Sequence, residues 1–212
     1  MIKAGIFDRD GTLVDSEWVN IDAGTEAFKR LGVTITNQDK LQILGRAPVD
    51  YLPYFVKKYS FDVEEFNRIV PIIYYDLFDK SQIFEDTIQL VKDLGSYDLL
   101  RALNTWWYQE GNDRLFKRVW LENTFDVVVT RDMYDKSKPD PESYLIAIEK
   151  LWLQAHECVA IEDAERWLAS AKAAGAKCIV IPNEYTKNQD FSQADLIVKS
   201  ARELTIEIIK GL

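Results

Sequence analysis

Residues 7–16 read Phe7-Asp8-Arg9-Asp10-Gly11-Thr12-Leu13-Val14-Asp15-Ser16, directly after the apolar run Ile2 to Phe7. Such a run suits a buried strand of a parallel sheet. It delivers Asp8 and Asp10 to the carboxyl end of that strand, where open α/β sheets bind their ligands. Strand side chains alternate, so two acids separated by one residue face the same way if the strand continues. Gly11 then breaks the strand and lets the backbone turn. Two acids held together repel unless a cation sits between them or one stays protonated. The plain alternative for an isolated Asp-x-Asp is a turn closed by Asp side chains, since Asp, Gly and Thr are common there.

Outward from this stretch, five further short apolar runs repeat the first: Leu99 to Leu103, Phe125 to Thr130, Cys158 to Ile161, Cys178 to Ile181 and Leu196 to Val198. Near-continuous apolar runs of this length suit strands buried on both faces. Helical stretches lie between them. Tyr144, Leu145, Ile148, Leu151 and Trp152 are expected on one helical face, with Pro141 in a first turn that tolerates it. Alternation of strand and helix predicts an α/β fold with a doubly wound parallel sheet, a Rossmann-like core.

Residues 16–81 differ. Trp18, Ile21, Thr25 and Phe28 describe an amphipathic helix that stops at Leu31-Gly32. Val49 to Tyr59 and Glu64 to Phe78 read as further helices, with no convincing strand. The expected organisation is therefore a core of residues 1–15 and 82–212 with a helical insert, 16–81, after the first strand.

Three motifs, in order, carry a resemblance. Asp8-Arg9-Asp10-Gly11-Thr12-Leu13-Val14-Asp15-Ser16 resembles the first motif of the haloacid dehalogenase-like hydrolases. Lys138-Pro139-Asp140-Pro141 with Tyr144 resembles their lysine motif. Ile161-Glu162-Asp163 followed by Ala173-Ala174-Gly175 resembles their acidic motif and the helix behind it. The motifs span nearly the whole chain, and the similarity is best to the branch of sugar-phosphate phosphatases and β-phosphoglucomutase-like enzymes. The resemblance implies that the insert is a cap, tethered near Asp15 to Trp18 and Lys80 to Phe84, whose closure excludes water and selects the substrate.

It also implies chemistry. Phosphoryl transfer needs an in-line nucleophile, positive charge for the equatorial oxygens and proton management. Carried over residue by residue, Asp8 is the nucleophile that forms an aspartyl-phosphate, and Asp10 is the general acid and then base. Lys138 offsets the nucleophile's charge and binds a phosphoryl oxygen. The Asp8 carboxylate, the Asp10 backbone carbonyl and the Asp163 carboxylate hold Mg2+, with Glu162 contacting it through water. Each has a plain reading: Lys138 as a solvated loop lysine, Glu162-Asp163 as a helix cap. The implied activity is a phosphatase acting on a small phosphorylated metabolite, most plausibly a sugar phosphate. A phosphomutase using the same intermediate stays open. A dehalogenase has no use for Asp10 with Glu162-Asp163, and a phospho-acceptor signalling module has none for so long an insert.

The chain departs from the family pattern in places. The second motif, a Ser or Thr ending the second strand, falls in Leu103-Asn104-Thr105-Trp106. Thr105 is the expected hydroxyl that holds the phosphoryl group, and Asn104 the second choice. Trp106 stands where a small polar residue is usual, and Trp120, Trp152 and Trp167 stand where glycine is usual. The readings of these tryptophans are helix–sheet packing, crowding of the phosphate pocket that leaves a catalytically weakened member of the fold, or a redesigned sequence. In the insert, Gly45-Arg46 lies in a loop, and Arg46 is the one residue suggested to pair with an acidic group of the substrate.

Composition narrows the partners. With 212 residues and net charge −9, and no basic run, the chain is a poor match for nucleic acid or an anionic membrane. The single histidine, His156, lies in a polar connection, which leaves Ser-His-Asp and zinc mechanisms without their residues. Cys158 and Cys178 read as buried free thiols on adjacent strands. No segment has transmembrane length, and the amino terminus reads as a strand, so the cytoplasm is the expected location. A monomer is expected from the resemblance.

Overall fold

The structure is a computed structural model that describes residues 1–44, 46 and 48–212. In chain order its elements are β1 (Ala4–Phe7), β2 (Val14–Asp15), α1 (Glu17–Arg30), α2 (Asn37–Ile43), α3 (Pro48–Lys58), α4 (Val63–Phe78), β3 (Gln82–Ile83), α5 (Glu85–Ser96), β4 (Leu100–Asn104), α6 (Gln109–Val119), β5 (Val127–Val129), α7 (Glu142–Lys150), β6 (Cys158–Glu162), α8 (Glu165–Ala173), β7 (Lys177–Val180), β8 (Leu196–Ile197) and α9 (Ile206–Gly211). The chain divides into two compact units, Met1–Val14 with Ile83–Leu212, and Asp15–Gln82.

In the first unit the described strands form a parallel sheet in the order β5-β4-β1-β6-β7-β8. β1 lies at its centre, with Phe7 level with Leu103 on one side and Ile161 on the other. The α/β, doubly wound expectation holds. Strand alternation divides the side chains between two faces. Ala4 and Ile6 of β1, Ala102 of β4, and Cys158 and Ala160 of β6 share one apolar cluster with Tyr144, Ala147 and Ile148 of α7 and Leu168 of α8. Gly5 and Phe7 face the other way, and a Cβ on Gly5 would come within 2.7 Å of Leu94 of α5. Helices thus cover both faces, and no strand of the sheet needs a polar side. Cys158 and Cys178 are buried free thiols on adjacent strands, as read.

The second unit is helical. Phe28 of α1 packs against Phe55, Phe66 and Phe61 at ring-centroid separations of 4.4, 4.5 and 5.1 Å. α1 ends at Leu31-Gly32 as expected, with Gly32 at φ 76°. Its buried stripe is rotated from the expected one: Val19, Ala23, Gly24, Ala27 and Phe28 are buried, whereas Trp18, Ile21 and Thr25 are half-buried. Small residues carry little apolar signal, yet they let neighbouring helices approach. A Cβ on Gly24 would already stand 3.1 Å from Ile43 of α2. α2 itself is held by a reciprocal cap between Thr36 and Asp39.

Two tryptophans correct the packing reading. Trp120 and Trp152 follow α6 and α7 at φ 58°, and they are 79% and 93% exposed. They take the left-handed conformation that glycine usually supplies, and they do not pack on the sheet. Trp152 lies beyond the end of α7 and Leu145 is exposed, so neither belongs to that helix's buried face. The helix-cap reading of Glu162-Asp163 also fails: the residue preceding α8 is Ala164, and no side chain caps it.

Candidate active site

The apolar alternation on the α7 side continues into polar residues at the carboxyl ends of three neighbouring strands. Ile6 is followed two residues on by Asp8, Ala102 by Asn104, and Ala160 by Glu162, and the register keeps all three level. A residue type that the sheet buries on both faces has therefore been exchanged for carboxylates and an amide at one end.

Lys138 reaches this row from the loop before α7. Its ammonium lies 2.7 Å from Asp8 Oδ1, 3.3 Å from Glu162 Oε1 and 3.4 Å from the Asn104 carbonyl. At 3% exposure it is no solvated loop lysine. Its ammonium also faces the rings of Trp167, 4.6 Å from the centroid, and Tyr144, 5.4 Å. Trp167 is therefore buried beside the lysine. Tyr144 donates its hydroxyl to Glu162 Oε1.

Burial pushes the Asp8 carboxyl up; Lys138 opposes this and Asp10 reinforces it, and the result is about 6. Burial likewise raises Glu162, against Lys138 and with Asp8, to about 8. Burial alone lowers Lys138, but the charges of Asp8 and Glu162 prevail and hold it above the ordinary lysine value. The acids of this site crowd one another around a single ammonium.

Asp8, Glu162 and Asp163 each offer a buried carboxylate oxygen, and these atoms lie within 4.8 Å of one another. Glu162 Oε2 is buried and accepts no hydrogen bond among the described residues. An all-oxygen set of acids with an unused buried lone pair fits a hard divalent cation such as Mg2+. Gly11, at φ 81°, lets the loop after β1 pass this cluster: a Cβ there would stand 2.1 Å from Asp163 Oδ2. Asn183, just past β7, donates to the same oxygen at 2.7 Å.

The Asp10 carboxylate turns elsewhere and is not part of the acidic cluster. Its Oδ1 accepts from Arg9 Nη1 at 2.7 Å and its Oδ2 from Trp107 Nε1 at 2.8 Å. Strand β1 ends at Phe7, so the expectation that Asp8 and Asp10 face one way lapses with the strand. Thr105 follows β4 directly and is buried; its hydroxyl accepts from the Trp107 backbone N–H at 3.2 Å. The Asn104 amide donates to Ser143 Oγ at 3.2 Å. Arg46 belongs to the second unit, where it donates to Gln42 Oε1 at 2.8 Å. Its neighbour Gly45 lies outside the described residues.

Arg9, Trp107, Tyr144 in its contact with Glu162, and Asn183 extend the site beyond the residues named from sequence. Asn183 had a usable signal, its place at the carboxyl end of a strand. Arg9 did too, as a charged residue inside a stretch otherwise fit for burial.

Known proteins are similar to this chain. YhcW of Bacillus subtilis (strain 168) is 28% identical over 216 residues, covering 99% of this chain and 96% of its own length. A protein of Thermotoga maritima named phosphorylated carbohydrates phosphatase is 28% identical over 184 residues, 84% of either chain. A crystal structure of mutant CbbY from Rhodobacter sphaeroides in complex with xylulose-(1,5)bisphosphate superposes with a TM-score of 0.86 at 25% identity, covering 96% of each chain. The sequence profile described as haloacid dehalogenase-like hydrolase matches residues 5–181. With the profile running from β1 to just past β7, the chain belongs to the haloacid dehalogenase-like hydrolase family.

Proposed function

We propose that this chain is a Mg2+-dependent phosphatase that hydrolyses a small phosphorylated metabolite, most plausibly a sugar phosphate, through an aspartyl-phosphate on Asp8. The observation that carries the reading is the Asp8 carboxylate, buried at the carboxyl end of the central strand, bonded to Lys138 and grouped with Glu162 and Asp163. The relative named for phosphorylated carbohydrates and the CbbY complex with a sugar bisphosphate support the substrate class.

In this reading an Asp8 oxygen forms a bond to phosphorus as the bond to the substrate's leaving oxygen breaks. Asp10 gives its proton to that oxygen. Asp10 then takes a proton from water as the water oxygen bonds to phosphorus and the Asp8–phosphorus link opens. Lys138 holds Asp8 in place and meets negative charge on the phosphoryl oxygens. Thr105 or Asn104 supplies a hydrogen bond to the same group. Asp8, Asp163 and the Asp10 carbonyl would hold Mg2+, with Glu162 beside them. When bound, the ion supplies positive charge that draws phosphate into an acidic pocket. The residues 16–81 would act as the cap that chooses the substrate.

A panel of phosphorylated metabolites assayed with Mg2+ tests the proposal. Phosphate release that disappears on chelation and in Asp8→Asn is expected. Isomerised sugar phosphate in place of free phosphate would assign a phosphomutase instead, and an active Asp8→Asn would overturn the mechanism.

A further inference from the structure

Asp10 lies between two donors, its chain neighbour Arg9 and the distant Trp107. Arg9 is fully buried, and its guanidinium gives one hydrogen bond to Asp10 Oδ1 at 2.7 Å. A longer one goes to the Gly111 carbonyl, 3.4 Å away. Trp107 gives its indole N–H to Asp10 Oδ2 at 2.8 Å, and the guanidinium carbon lies 4.9 Å from the centroid of that indole.

Both donors sit on constrained backbone. The Arg9 carbonyl accepts from Leu13 N at 2.9 Å and Val14 N at 3.2 Å, which closes the loop after β1. Trp107 N donates to Thr105 Oγ1 at 3.2 Å, its carbonyl accepts from Arg131 N at 3.0 Å, and its ring leans on Trp106 with centroids 4.4 Å apart.

From this geometry we propose that Arg9 and Trp107 are positioning residues for the Asp10 carboxylate, fixing its plane for proton delivery to the leaving oxygen. The inference rests on the phosphatase reading given above. A buried Arg–Asp pair is a costly way to stabilise a fold, because desolvation consumes much of its attraction. Two donors set on the two oxygens of one acid restrict its rotation instead. Rotational freedom that must be lost before proton transfer is lost already in the free protein. The pairing also links Thr105, expected at the phosphoryl group, to Asp10 through a single tryptophan.

A general acid matters most when the leaving oxygen is a poor one. kcat/KM for an alkyl phosphate such as glucose 6-phosphate reports on proton donation to the departing alkoxide. For p-nitrophenyl phosphate the departing phenolate needs little help, so kcat/KM reports on the remaining machinery. Trp107→Phe keeps the aromatic body and removes the N–H. It is expected to lower kcat/KM for the alkyl ester on the order of 10- to 100-fold while the aryl ester changes by less than about threefold. Arg9→Lys, which retains the charge but not the planar fork, is expected to give the same split and carries the test if Trp107→Phe does not fold. Asp10→Asn sets the reference signature. Equal losses on the two esters, or no loss on either, would overturn the positioning role. An Asp10→Asn variant without the split would remove Asp10 as the acid and this inference with it. A parent protein that turns over neither ester, with or without Mg2+, would mark failure of the phosphatase reading itself.

Discussion

Lys138 Nζ stands 2.7 Å from Asp8 Oδ1 although 130 residues separate them. The loop before α7 brings that ammonium to the end of β1. Replacing it by a neutral side chain of similar length, Lys138→Met, removes the positive charge that faces Asp8 and that, under the proposed mechanism, would meet the phosphoryl oxygens. We expect kcat to fall at least about 100-fold, the scale seen when one preorganised donor is lost from a charged transition state. Steady-state hydrolysis of a generic aryl phosphate measures it. Activity within a few-fold of the parent would place Lys138 outside the reaction.

The acidic cluster gives a prediction that needs no substrate. A cation that binds the folded chain and not the unfolded one stabilises it by about 2.7 kcal/mol at one hundred times its dissociation constant. Thermal melts of the parent are expected to rise with Mg2+ concentration. Asp163→Asn, which removes one of the three converging carboxylates, should lose most of that response. The same Mg2+ shift in parent and variant would mean that the ion binds elsewhere.

The sheet was legible because its central strands β1 and β6 are buried on both faces and its other strands are also apolar runs between helical patterns. Asp8, Lys138, Glu162 and Asp163 were legible as residue types at the carboxyl ends of such runs, in an order that resembles a known family. Trp107 was not, since a hydrogen bond between an indole and a carboxylate far away in sequence leaves no periodicity; Arg9 showed only as a charge inside a stretch otherwise fit for burial. The orientation of Asp10 was unreadable for a related reason: strand alternation stops predicting direction once the chain leaves the strand at Phe7. The buried face of α1 was misjudged because Ala23, Gly24 and Ala27 pack by their smallness. Trp120 and Trp152 stand where glycine is usual and take its left-handed conformation, but their exposure depends on what lies outside the helix ends.

Those two tryptophans yield the next prediction. An L residue in the left-handed region costs about 1–2 kcal/mol, and glycine escapes that at a smaller cost in unfolded-chain entropy. At both sites the following residue closes the helix end, Leu121 N to Phe116 O and Leu153 N to Ile148 O, so the backbone must hold this conformation. The side chains are largely in solvent, and little packing is lost with them. Trp120→Gly and Trp152→Gly are each expected to raise unfolding stability by about 1 kcal/mol, additively in the double variant. Urea denaturation would show this as higher midpoints with unchanged slopes. Lower midpoints would mean that the indoles make contributions to the fold that outweigh the strain.

Asp39, in the helical unit, carries the pH prediction. Its side chain is fully buried and receives hydrogen bonds from Thr36 N (2.8 Å), Thr36 Oγ1 (2.7 Å), Tyr54 (2.7 Å), Lys58 (2.6 Å) and Tyr59 (2.6 Å). Burial by itself would raise this carboxyl, but the donors from Lys58, Tyr59, Tyr54 and the Thr36 backbone together outweigh it and hold the group well below the usual carboxylate range. A carboxyl whose folded value lies below its unfolded value of about 3.9 gives its full stabilisation above that value. The contribution is lost as pH falls towards the folded value, because the unfolded chain then takes up the proton first. Asp39→Asn removes the charge at every pH and should cost on the order of 2–3 kcal/mol near neutrality. The gap between parent and variant is therefore expected to stay constant from pH 7 to about 5 and to narrow below about 4. Denaturant titrations of both proteins across that range would show it, with the remaining acids cancelling in the difference. A gap that held constant down to pH 2, or widened, would mean that Asp39 is not held as a buried carboxylate by its four neighbours.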